Sequence, residues 1–172
     1  MQTYINFEIK NISYGWFDVL FKTNEDEIMV TASYAWGNDS PKLFLQILYE
    51  LLVSPSCNKY VIWDEEPGVY IIFFSKIKNQ YNIKIAYSGT CHDELFADIR
   101  NTTGNFIFHE AQSMIHDLEV IYECYDINFS HLIKTIIRAF EEYETNPEYE
   151  RNWMSFPYNE LNLLKKDIKQ IS

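Results

Sequence analysis

Three short apolar runs separated by polar turns occupy the first 34 residues, and this spacing limits the fold more than any other feature. Residues 3–9 alternate between apolar side chains on one side and mostly polar ones on the other. Residues 16–21 and 28–34 are two further runs rich in β-forming residues. Because short turns favour antiparallel neighbours, the segment predicts antiparallel strands.

A helix is predicted directly after these strands. Ser40 can cap it, and Pro41 suits its first position, where no backbone N–H is needed. Apolar residues then recur at helical spacing as far as Leu52 and form one broad face. The segment Ser54-Pro55-Ser56 ends the helix.

The middle of the chain returns to strand patterns, and the last third is helical. Asn128 or Ser130 can cap a helix that Asn146-Pro147 ends, and Pro157 opens another. The order predicts an α+β fold, a single domain over residues 1–172, with an antiparallel sheet packed by two to four helices. The remaining predicted segments are strands at 59–63, 69–77, 81–87, 106–108 and 118–125, the last two with helix as the alternative, and a short helix at 92–99.

The charge balance limits the classes of partner. The chain has 25 acidic and 14 basic side chains, a net charge of −11. Phosphate contacts require clustered lysine and arginine, so we expect neither nucleic acid nor an anionic membrane as a partner. No secretory signal or transmembrane run is recognisable, and the three cysteines are widely spaced. These features predict a cytoplasmic protein with free thiols, of undetermined oligomeric state.

Motifs for catalysis, metals and cofactors are not recognisable. No two histidines lie four residues apart, and the sequence has no nucleophile elbow or phosphate-binding loop. We therefore expect no metal, no cofactor and no enzymatic activity. The alternative is a small hydrolase of unknown substrate that uses Asp64, Glu65 and Glu66 as general acid and base. A solvated hairpin tip also explains these three residues, which we call the acidic turn.

The acidic excess is concentrated late in the chain. Residues 110–160 hold eleven acids and three bases. Several of these acids lie near a predicted helix C-terminus, where the dipole opposes each carboxylate by about 0.3–1 kcal/mol. Two interpretations fit, a solubilising surface and an anionic docking site for a cationic protein. The predicted contacts are the acids Glu141, Glu142, Glu144, Glu148 and Glu150 with the aromatic anchors Tyr143 and Tyr149, together the acidic segment, followed by Asp64, Glu65 and Glu66.

Three local patterns suggest a family. They are Gly15-Trp16-Phe17-Asp18, the run from Trp63 to Gly68, and Trp153-Met154-Ser155-Phe156-Pro157. With the acidic, aromatic-rich composition they resemble bacterial toxin-immunity proteins, the partners of polymorphic or contact-dependent-inhibition toxins. The resemblance implies a stoichiometric inhibitor that binds a cognate cationic toxin domain, often a nuclease. It does not fix the architecture, and a self-associating structural or regulatory subunit remains a further alternative.

Overall fold

The computed structural model describes residues 1–35, 37–90 and 107–170, and it has the predicted α+β class. Its strands divide into two antiparallel sheets, of order β1-β2-β3 and β4-β5-β6-β7. The strands are β1 (Asn6–Ser13), β2 (Trp16–Lys22), β3 (Glu27–Ser33), β4 (Cys57–Asp64), β5 (Val69–Ile77), β6 (Gln80–Ser88) and β7 (Glu119–Cys124). The α-helices are α1 (Ser40–Val53), α2 (Phe108–Met114), α3 (Phe129–Glu141), α4 (Glu148–Asn152) and α5 (Tyr158–Asp167), and a 3-10 turn spans Ile168–Gln170.

A two-residue turn joins the first two strands. Tyr14 and Gly15 both have positive φ, of 50° and 83°, the combination that a type I′ hairpin turn requires. A Cβ atom on Gly15 would lie 2.0 Å from Cε1 of Tyr34. Glycine is therefore needed at this position both for its backbone conformation and for the room it leaves to the Tyr34 ring.

The second sheet is a meander whose last strand, β7, lies at its edge. The β5–β6 hairpin turns at Lys78, which has a φ of 57°, and lies where the sequence predicted it. A bulge interrupts the pairing of β6 with β7, because Tyr122 pairs with Ile85 and Val120 with Ala86, which leaves Ile121 unpaired.

One buried core joins both sheets to the helices. Phe17 lies near its centre, with its ring 6.0 Å from that of Trp63, 5.4 Å from that of Trp153 and 5.7 Å from that of Tyr149. Phe44 of α1 packs edge-on against Trp63. A second, smaller cluster fills the opposite face of the four-stranded sheet, beneath α2. Of the four tryptophans, Trp63 and Trp153 are buried in the core, Trp16 is half-buried, and Trp36 lies outside the described residues.

Three helix ends follow the predicted signals, namely the end of α1 and the starts of α3 and α5, whereas α3 ends at Glu141, before the predicted Asn146-Pro147. Asn128 caps α3 by accepting the His131 N–H at 2.9 Å, and α5 begins directly after Pro157. The cap of α1 is Asp39 rather than Ser40, because the Asp39 carboxylate accepts the Lys42 N–H. At 106–108 the helix alternative fits better than the strand, since Ile107 caps α2 and Phe108 begins it. The predicted helix at 92–99 lies outside the described residues, and α4 was not predicted.

Candidate partner-binding surface

The acidic segment begins at the end of α3, where a lysine from another helix neutralises part of it. Nζ of Lys165, on α5, lies 2.9 Å from a carboxylate oxygen of Glu141 and 3.2 Å from one of Glu144. Desolvation opposes the lysine charge, but the two carboxylates outweigh it and raise the pKa of Lys165. Both acids are thus paired with a cation of the same chain, whereas the sequence analysis expected them to pair with cations of a partner.

The later acids of the segment also have partners within the chain. Glu148 forms an ion pair with Arg151 one helical turn later. A carboxylate oxygen of Glu150 accepts the Phe156 N–H at 3.1 Å. Glu142 is exposed and has no ion pair within the described ranges. The segment is therefore not one uncompensated anionic patch, because three of its five carboxylates pair with the chain's own cations.

The two predicted anchors differ in exposure. Tyr149 is fully buried, so the prediction that it contacts a partner is wrong. Burial, followed by the field of Asp39, raises the pKa of its hydroxyl. Tyr143 is half-buried, with its ring 6.4 Å from that of Tyr149. Together these tyrosines join α4 and the end of α3 to the core.

The acidic turn also separates into different environments. Asp64 is 2% exposed and accepts a hydrogen bond from the Asn38 amide, so the prediction that it meets a partner is wrong. Glu65 is half-buried and bonded to Tyr87, and desolvation raises the pKa of its carboxyl. Glu66 is exposed. Asp64 and Glu65 therefore have different hydrogen-bonding partners, and of the three side chains only that of Glu66 is exposed.

An acidic cleft that the sequence did not predict lies between the β2–β3 turn and the end of β7. Its volume is about 490 Å³. Three carboxylates line it, those of Glu25, Asp26 and Glu123, and its lining includes neither lysine nor arginine. Tyr4 and Tyr125 flank it and are 56% and 60% exposed. The cleft combines unshielded negative charge with accessible aromatic surface, the composition expected of a site for cationic groups.

The carboxylates of the cleft differ in how far they are compensated. Glu25 and Asp26 are exposed and have no ion pair among residues 1–35, 37–90 and 107–170. The Asp26 carboxylate accepts the Glu27 N–H at 2.9 Å, which fixes the turn. Glu123 lies 3.5 Å from Nζ of Lys84 and accepts the Tyr125 hydroxyl at 2.8 Å. The β2–β3 turn therefore supplies the least compensated charge.

The field of these acids reaches the neighbouring cysteine. Desolvation is the largest effect that raises the pKa of the Cys124 thiol, and Asp26 and Glu123 add to it against a hydrogen bond with Tyr122. A thiol in such surroundings stays protonated and is a weak nucleophile. Cys124 therefore contributes an uncharged side chain to the lining of the cleft.

The sequence predicted the two segments that form this cleft but not that they meet. Residues 24–27 form a polar turn, and 118–125 were predicted as a strand that ends beside Tyr125. About a hundred residues separate the two segments, so only tertiary packing brings them together. Nothing local distinguishes Glu25 from any other acid at a hairpin tip.

Two kinds of feature are absent from the described part of the chain. It contains no group of three histidine, cysteine or carboxylate side chains placed to hold a metal ion. None of its helices combines the length and apolar character needed to span a membrane. No family model, curated protein or solved structure matches the chain.

The three patterns that resemble immunity proteins converge in the structure. Phe17, Trp63 and Trp153 each come from one of them, and they pack together in the core. These three aromatic residues thus belong to the core, whereas Glu66, Pro67 and Ser155 of the same patterns are exposed.

Proposed function

We propose that the protein binds a cationic protein domain in the cytoplasm and neutralises it by forming a stoichiometric complex. The acidic cleft is the observation that carries the proposal, because it joins uncompensated carboxylates to exposed tyrosines. Such a surface accelerates encounter with a basic partner by electrostatic attraction, and aromatic contacts slow release. The net charge of −11 acts in the same direction.

The class of partner we propose is a bacterial toxin domain, which would make this chain an immunity protein of the polymorphic or contact-dependent-inhibition type. Support comes from the resemblance of its sequence patterns and from its acidic, aromatic-rich composition. A toxin that acts on nucleic acid carries a basic substrate groove, and an anionic protein fits such a groove. Free thiols at Cys57 and Cys124 suit a reducing compartment.

Affinity capture from the native host tests this function. The captured protein is identified, purified and titrated calorimetrically against this chain at low and high salt. We expect a basic partner, a 1:1 complex, loss of the partner's toxicity on co-expression, and affinity that falls as salt rises. A neutral or acidic partner, or an affinity that salt does not change, would contradict the proposal.

Matched charge variants then locate the surface. Glu25→Lys with Asp26→Asn changes the cleft by three charges and keeps an acceptor for the Glu27 N–H. Glu142→Lys with Glu66→Gln makes the same change at exposed acids of the acidic segment and acidic turn. We expect the first pair to weaken binding at low salt by about tenfold or more and the second to have little effect. If the second pair weakened binding more than the first, the binding site would lie at the acidic segment and acidic turn instead of the cleft.

A further inference from the structure

Strand β7 presents an accessible edge of the four-stranded sheet. It pairs with β6 on one side, and no described strand pairs with its other side. Five of its six residues are exposed or half-buried, including Val120 and Ile121, each 38% exposed. The opposite edge strand, β4, is by contrast buried from Tyr60 to Asp64. An exposed edge leaves backbone donors and acceptors available to another chain.

The charge of this edge selects against self-association. Glu119 and Glu123 lie near the two ends of β7, with the apolar pair Val120 and Ile121 between them. A second copy paired along this edge would bring carboxylates toward carboxylates, which destabilises strand pairing. A strand with basic side chains would instead find opposite charges and an apolar centre.

The acidic cleft continues this edge toward the β2–β3 turn. Glu123, Cys124 and Tyr125 at the end of β7 line the cleft, opposite Glu25 and Asp26. Tyr122, the next residue back along β7, lies within the electrostatic field of Asp26. A chain extended along β7 would therefore lead directly into the acidic cleft.

We infer that the cationic partner docks an extended segment as a fifth strand on the edge of β7 and places basic side chains in the acidic cleft. This mode rests on the proposed function and adds its geometry. Main-chain hydrogen bonds to β7 would supply affinity, and the carboxylates would select basic side chains at alternate positions. The bulge at Ile121 divides the edge, so pairing is expected along its cleft-proximal half, from Tyr122 to Cys124.

A synthetic peptide tests this mode without the natural partner. The probe is an acetylated and amidated peptide of about eight residues, the length of a typical strand, that alternates lysine with threonine. Two derivatives carry N-methyl groups on alternate residues, one in each of the two registers. N-methylation removes a backbone donor and leaves the charge unchanged. A glutamate-for-lysine peptide is the charge control.

The two peptide registers distinguish strand pairing from charge attraction. In fluorescence titrations at low salt we expect one N-methyl register to bind about tenfold more weakly than the parent, because its donors face β7, and the other to bind unchanged. Amide hydrogen exchange should slow in β7 only with the parent and the tolerated register. The variant that combines Glu25→Lys with Asp26→Asn should bind both the parent peptide and the tolerated N-methylated peptide more weakly.

The results that would contradict the docking mode differ from those that would also contradict the proposed function. Equal binding of both N-methylated peptides, without slower exchange in β7, would overturn docking on the edge and leave cationic binding intact. Equal binding of the glutamate peptide would contradict both the docking mode and the proposed function. Absence of binding by any lysine peptide at low salt would likewise count against both.

Discussion

The ammonium group of Lys76 donates a hydrogen bond to the main-chain oxygen of Leu51 at 2.7 Å, inside the protein. The same Nζ atom also reaches the carbonyl oxygens of Leu52 and Ser54, and the lysine is only 7% exposed. Helix α1 has no basic residue in its own last turn. A lysine from strand β5 thus satisfies the carbonyls at the C-terminal end of the helix and places a positive charge against its dipole.

Replacing Lys76 with methionine should lower the free energy of unfolding by about 2 kcal/mol. The substitution keeps most of the side-chain volume but leaves buried carbonyls without a charged donor. Urea denaturation measures the change. Lys22→Met is the matched control, because Lys22 is exposed and its pair with Glu27 spans 3.4 Å, so it should cost less than about 0.5 kcal/mol. Equal effects of the two substitutions would show that Lys76 does not stabilise the helix end.

Gly15 and Gly37 offer a second matched pair, because both have positive φ but different surroundings. Alanine at either position costs about 1 kcal/mol for its backbone conformation. At Gly15 the new methyl group must also displace Tyr34, whose ring packs against Trp153, whereas open space surrounds Gly37. We expect Gly15→Ala to be the more destabilising by about 1 kcal/mol or more in thermal unfolding. In a Tyr34→Ala background, Gly15→Ala and Gly37→Ala should destabilise the protein by similar amounts.

Local patterns were sufficient to predict most of the fold. The β5–β6 hairpin and the start of α5 follow from alternation and from a proline at the helix start, signals that neighbouring residues carry. The sequence did not reveal that the strands divide into two sheets, because this depends on how distant segments pack. Helix α4 was missed for a related reason, since its five polar and aromatic residues show no helical apolar stripe.

The site was harder to predict than the fold because charge density along the chain does not show which charges are compensated. Glu141 and Glu144 pair with Lys165, which lies more than twenty residues later. Tyr149 is surrounded by acids in the sequence yet packs against Phe17, a strand residue far from it in the chain. The acidic cleft arises in the opposite way, because the β2–β3 turn and the end of β7, neither of which has a distinctive sequence, meet in space.

Tyr149→Phe should leave stability unchanged or raise it by up to about 1 kcal/mol. The Tyr149 hydroxyl is buried and has no hydrogen-bond partner among the described residues, so its removal relieves a desolvation cost and loses no bond. Tyr122→Phe is the control, since the Tyr122 hydroxyl bonds with Sγ of Cys124 at 3.4 Å. Chemical denaturation compares the two variants. A loss of more than about 1 kcal/mol for Tyr149→Phe would reveal a partner for its hydroxyl, such as an internal water.

Asp39 should make the stability depend on pH in a direction opposite to that of most carboxylates. Desolvation raises its pKa in the folded protein, and this outweighs the hydrogen bonds from the Trp153 indole at 3.0 Å and from the Lys42 N–H. The folded state therefore holds this proton to higher pH than the unfolded chain, whose aspartates titrate near about 3.9. Stability contributed by this group is present below that pH and is lost as pH rises through the folded pKa.

Asp39→Asn keeps an acceptor for both donors and cannot ionise, so its free energy of unfolding should rise relative to wild type between about pH 4 and pH 7. Urea denaturation across this range measures the difference, and a constant difference would show that Asp39 titrates alike in the folded and unfolded states.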